Sequence, residues 1–270
     1  MNLRFKIALT FIALSVLGRS QSGFTTLGGA NFLGYSRAGV NITGIESMYL
    51  NQAGLTSIKK VAFDISTERR FNIEELTTIS IAGAKTYKFG TVGFLMSSFG
   101  FSQFNEQKFG LAYARKLTKT VSLGGQFNML RYNVEQYGSK NLFTFELGVQ
   151  IQISKEISVA THIFSPGQLS INDKSDIGTR FRFGFKYMPS TKVFLLAELD
   201  KLIYRPVEYK LGISYQAVEA LQIRLGINPS AELYSFGAMV SIQKVYRISS
   251  AIALNNRLGN TPSFSLQYVN

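Results

Sequence analysis

From residue 143 the chain reads FTFELGVQIQI. Phe143, Phe145, Leu147, Val149, Ile151 and Ile153 fall on one side of a period of two; Thr144, Glu146, Gly148, Gln150 and Gln152 fall on the other. Strict alternation over this span predicts a strand long enough to cross a bilayer when tilted. TRFRFGFKY repeats the design, with Phe181, Phe183, Phe185 and Tyr187 opposite Arg180, Arg182, Gly184 and Lys186. In EYKLGISY, Tyr209, Leu211, Ile213 and Tyr215 stand opposite Glu208, Lys210, Gly212 and Ser214. A soluble sandwich would pair such apolar faces in a core. A membrane barrel turns them to lipid and the charges to a wet lumen.

The connections separate the two. Short turns at KTYK, KLTK, ISKE, PSTK, QAVE and QKV alternate with longer joins at SSFGFSQFNEQ, NVEQYGSK and SPGQLSINDKSD. A short–long rhythm is the mark of a barrel with tight turns on one rim and loops on the other. The predicted fold class is all-β: an antiparallel transmembrane β-barrel of about fourteen strands, running from near Val61 to FSLQYV. An even strand number puts both barrel ends on the periplasmic side. Tyr113, Tyr187, Tyr215 and Tyr268 close descending strands as an aromatic girdle would. Lipid-facing Leu147 and Phe183 are expected to reject charge, while Gln150 and Gly184 are expected to accept Ser freely.

Composition changes the picture at the start of the chain. Arg4 and Lys6 precede the apolar run IALTFIALSVL and the small-residue site GRS, the pattern of an exported signal peptide. The expected division is residues 1–20 as signal peptide, 21–56 as an N-terminal hatch and 57–270 as the barrel. The net charge of +13 falls to +10 when Arg4, Lys6 and Arg19 are removed. The remaining lysines scatter over turns, which argues against nucleic acid and for contact with outer-membrane lipid. With no cysteine there is neither a disulfide framework nor a lipid-modified cysteine.

Residues 21–56 are rich in glycine and fit neither strand nor helix. A barrel of this width leaves more lumen than wall side chains fill, so a pliant polar segment reads as a plug. Asn51 and Gln52 are suited to satisfy inward polar groups through their amides. LGYSRAGVNITGIESMYLNQAGL resembles the N-terminal hatch of the FadL-like outer-membrane barrels, whose motif is NPAGL. Asn51, Ala53, Gly54 and Leu55 match it, and Gln52 stands where Pro is usual. The resemblance implies a fourteen-stranded barrel with a luminal hatch, located in the outer membrane. Compact size and short loops bring the chain nearest the PorV/PorQ-like branch of Bacteroidetes, associated with type IX secretion. One departure is the C-terminus, Tyr268-Val269-Asn270, where a terminal aromatic is common in such barrels.

Nothing in the sequence points to an enzyme, a cofactor or a metal. His162 lacks ligand spacing and stands four residues from Ser158, about 13 Å along a strand, too far for a nucleophile–base pair. It reads as an isolated luminal histidine. Glu146, Arg180, Arg182, Lys186, Lys210 and Arg224 are expected to form a mixed-sign luminal network. Gly90, Gly93 and Gly100 mark where a bulge in the third strand would open a lateral gap. The first functional reading is a non-enzymatic accessory or shuttle in protein export, partnered by exported proteins or secretion subunits. The alternative is passive transport of hydrophobic small molecules through the barrel wall.

Overall fold

The computed structural model describes residues 20–21, 28–167, 169–172 and 175–270. The expected signal peptide, apart from Ser20, and residues 22–27 of the expected hatch lie outside the described residues. Fourteen antiparallel strands close into a barrel. In chain order they are β1 (Val61–Arg69), β2 (Thr77–Tyr87), β3 (Gly90–Gly100), β4 (Phe104–Lys116), β5 (Val121–Val134), β6 (Gly138–Gln152) and β7 (Ile157–Phe164). They continue with β8 (Arg180–Ser190), β9 (Val193–Leu202), β10 (Glu208–Val218), β11 (Leu221–Asn228), β12 (Leu233–Ile242), β13 (Tyr246–Asn255) and β14 (Gly259–Val269). Each pairs with its sequence neighbour, and β14 closes on β1 from Ser263↔Glu68 to Val269↔Ala62. The ladder therefore reaches Val269 without a terminal aromatic.

The period-two pattern places every side chain it was read from. On β6, Phe143, Phe145 and Leu147 are exposed on the outer surface while Glu146 and Gln150 are buried. On β8, Phe181, Phe183 and Phe185 are exposed and Arg182 is buried. Tyr113, Tyr187 and Tyr215 are exposed near the short-turn rim, where Tyr246 and Tyr268 lie 5.6 Å apart. An apolar exterior around a polar interior is the reverse of a soluble sandwich.

The connections differ from the expected rhythm. The joins read at SSFGFSQFNEQ and NVEQYGSK are mostly strand, because β3 runs to Gly100 and β5 and β6 meet across residues 135–137. Inter-strand hydrogen bonds keep pairing polar residues beyond the apolar belt, so polarity marks the edge of the belt and not the end of the strand. Two substantial loops remain on that rim, residues 70–76 and 165–179. The second carries a small hairpin, Leu169–Asn172 with Ser175–Ile177, which pairs with Ser20–Gln21.

Candidate functional site

Residues 28–58 lie inside the barrel. The segment begins with a one-turn helix, α1 (Gly29–Leu33), and ends in two 3-10 turns, Ile45–Tyr49 and Gln52–Ser57. Between them, Ser36 and Arg37 adopt left-handed φ values of 49° and 68°. The bend fits because the wall retreats opposite it: a Cβ on Gly226 would come within 2.1 Å of the Tyr35 carbonyl carbon. The same holds around the lumen. A Cβ on Gly124 would meet Ala53 N at 2.3 Å, one on Gly148 Asn51 Oδ1 at 2.0 Å, and one on Gly184 Val40 Cγ1 at 2.2 Å. These inward glycines give the segment its clearance. Gly184 is therefore not the freely exchangeable luminal position that the sequence suggested, and neither is Gln150, whose amide donates to Ile42 O at 3.0 Å.

The NQAGL stretch is fixed residue by residue. Asn51 is fully buried and caps the last turn, accepting from Ala53 N at 3.2 Å. Its Nδ2 donates to Val40 O at 2.9 Å and lies within 3.4 Å of the wall carbonyls of Val149 and Thr161. The Gln52 amide is 3.3 Å from both Gln126 Oε1 and Glu146 Oε2. Proline at this position would have no such donor. Ala53 and Leu55 are fully buried, and Gly54 leaves room for Ile42 O and the Ser47 side chain. Tyr49 donates to Asp64 Oδ2 at 2.5 Å. Burial, reinforced by the Asp64 carboxylate, pushes the Tyr49 phenol well above its usual range, so it remains a donor.

A chain of charged and polar side chains runs along the inner wall from β4 to β10. Lys108 Nζ lies 2.5 Å from Glu146 Oε1, and His162 Nε2 is 3.0 Å from Glu146 Oε2. Arg182 Nη1 is 3.2 Å from His162 Nδ1 and its Nε 3.3 Å from Asp200. Lys210 bridges Asp200 at 2.6 Å and Glu198 at 3.3 Å. Arginine can only donate, so His162 Nδ1 accepts and the Nε2 proton goes to Glu146. The far end grips the luminal segment, since Glu198 Oε2 accepts from Gly39 N and Val40 N at 2.7 and 2.8 Å.

Of the six residues expected to form a network, Glu146, Arg180, Arg182 and Lys210 come together, Arg180 through Asp200 at 3.4 Å. Lys186 stands apart, its Nζ 4.5 Å from the Phe194 ring centroid. Arg224 instead holds the luminal segment through Asn31 Oδ1 at 2.7 Å, beneath the Tyr35 ring. His162 is not isolated. Lys108, Glu198 and Asp200 were missed, although alternation in NEQKFGLAYA and VFLLAELDKL places all three inward.

The third-strand glycines do other work here. Gly93 faces Met48, whose sulfur would lie 3.0 Å from an added Cβ. Gly90 makes room for the Tyr113 ring, and Gly100 turns the chain with φ at 108°. Pairing runs without a register shift from Thr78↔Phe99 to Tyr87↔Gly90 and from Thr91↔Ala114 to Gly100↔Asn105. The wall is closed at β3.

A second feature is apolar. Leu130, Tyr132, Phe164 and Ile177 are buried together at the long-loop rim, with Phe104, Leu142 and Leu169 packed against them. This cluster is separate from the larger apolar cluster in which Phe32, Tyr35, Ile45, Met48 and Leu55 of the luminal segment pack against Ala62, Ala82, Leu95 and Leu196 of the wall.

No protein-family model matches the sequence, and no curated protein matches it. Solved structures do match. The toluene transporter TbuX of Ralstonia pickettii aligns with a TM-score of 0.74 at 10% identity, covering 92% of this chain and 98% of that one. The toluene transporter TodX of Pseudomonas putida gives 0.64 at 11% identity, with 92% and 98% covered. A FadL homologue of Pseudomonas aeruginosa gives 0.67 at 10% identity, with 92% and 100% covered. At these identities the likeness is one of fold: a closed, fourteen-stranded FadL-like barrel.

Proposed function

We propose that the protein is an outer-membrane barrel that passes hydrophobic small molecules down their gradient. In this reading residues 28–58 form a plug that keeps water and ions from following, and the short-turn rim, with both ends of the barrel, faces the periplasm. The carrying observation is the apolar cluster of Leu130, Tyr132, Phe164 and Ile177 beneath the longest loop. Its four residues are buried against one another, and in this reading the packed cluster marks the apolar part of the passenger's route out of water. Solved neighbours that are transporters of toluene support the same class of passenger. The export-accessory reading has no counterpart among these neighbours, so the order of the two readings reverses.

The test is uptake of toluene by cells expressing the protein, followed with an intracellular toluene-responsive reporter. Faster uptake than in the deletion strain is expected, lost when Leu130 and Phe164 are both replaced by Asp. A deletion strain with unchanged uptake and an altered set of secreted proteins would restore the export reading.

A further inference from the structure

At the other face of the plug, toward the short-turn rim, a cavity of about 510 Å³ lies between the luminal segment and the wall. Its volume is in the range of small-molecule sites. Four cations and two carboxylates line it. Lys244 and Glu219 neutralise each other at 3.2 Å, far out on the rim. Arg224 is committed to Asn31 and Gln222. Lys186 and Arg247 are left. Both are half-buried and lumen-facing; Lys186 lies over the face of Phe194 and is attracted by the Glu46 carboxylate without a direct ion pair, and Arg247 makes no hydrogen bond or ion pair among the described residues. Opposite them Glu46, only 6% exposed, has an Oε2 without a hydrogen-bond partner among the described residues.

Two cations without a direct ion pair, an aromatic face and a buried carboxylate with one oxygen lacking a hydrogen-bond partner share this single concavity. We infer that the cavity binds a small aromatic anion, its carboxylate held by Lys186 and Arg247 and its ring against Phe194. A hydroxyl on the ring donates to Glu46. The carboxylate is steered to the wall because Glu46 repels it from the plug, so the site selects orientation as well as charge. An orphaned buried acceptor is costly until a donor reaches it, which favours a hydroxylated ring over a plain one. The site is separate from the apolar cluster at the long-loop rim and does not depend on hydrocarbon passage.

The experiment is calorimetric titration of the detergent-solubilised full chain with 4-hydroxybenzoate. Binding is expected, with benzoate weaker and 4-hydroxybenzylammonium, the same ring with opposite charge, not binding. Lys186→Met and Arg247→Gln should each weaken 4-hydroxybenzoate roughly tenfold, the loss of one charged contact. Lys119→Gln, on an exposed turn outside the cavity, should leave affinity unchanged. Equal binding of the anionic and cationic rings overturns the site, and that comparison needs only the unsubstituted protein. Displacement of 4-hydroxybenzoate by equimolar inorganic phosphate also overturns it, by reducing the site to a general anion trap. Variants that fold, judged by heat-modifiable migration, yet bind as the parent does would remove Lys186 and Arg247 from it.

Discussion

The barrel wall and the segment inside it are held by opposite means. Outside, the wall presents Phe143, Phe145, Leu147, Phe181 and Phe183 to an environment that asks only that they be apolar. Any of these side chains has many equivalents. Inside, the segment from Gly28 to Ile58 packs an apolar side against the wall and is fixed in place by single contacts: Asn51 to three carbonyls, Gln52 to Glu146, and Glu198 to two consecutive backbone N–H groups. Opposite these contacts the wall gives up its side chains, at Gly124, Gly148, Gly184 and Gly226. The wall is redundant and the plug is specific. Damage to the wall should therefore depend on charge alone, and damage to the plug on the particular atom lost.

The largest effect is expected where the two regions share a buried charge. Glu146→Leu strands Lys108, which is fully buried, and breaking such a pair costs about 3–5 kcal/mol. The yield of folded barrel should collapse, as read by heat-modifiable migration, and Lys108→Met in the same chain should recover most of it. Next comes the exterior. Leu147→Arg and Phe183→Arg should each cost about 2–4 kcal/mol near mid-membrane, while Leu147→Phe should be silent. A penalty for Leu147→Phe as large as that for Leu147→Arg would refute the claim of redundancy. The smallest effects on folding belong to the plug. Asn51→Leu loses an amide with buried partners, about 1–3 kcal/mol, and Gly148→Val presses on the same side chain. Both should leave the barrel folded while raising protease access to residues 28–58. A loss of folded barrel from either would mean that plug and wall fold as one unit.

This contrast also explains what could be read from the sequence. Period-two alternation reports on any strand with unlike faces, so the strand positions of FTFELGVQIQI and TRFRFGFKY were legible from side-chain type alone. So was the number of strands. Loop lengths were not, because β5 and β6 keep their pairing in polar sequence past the belt. The luminal network was half legible. Arg182 and Lys210 stand out among aromatics, whereas Lys108, Glu198 and Asp200 belong to strands with weaker apolar contrast. The role of the glycines was hidden entirely. An inward Gly93 reads equally as a bulge site or as clearance for Met48, and only the position of the plug decides. His162 was misread as isolated because its partners lie on neighbouring strands, Glu146 on β6 and Arg182 on β8.

The central claim is that an ordered segment, held by both apolar packing and single hydrogen bonds, fills a lumen that would otherwise hold water. Single-channel recording in planar bilayers tests it directly, comparing the full chain with a variant lacking residues 21–56. The full chain should conduct poorly, and the deletion should give a larger, steady conductance from a barrel that still folds. A folded deletion variant conducting no more than the full chain would contradict the account, since the lumen would then be blocked by something other than this segment.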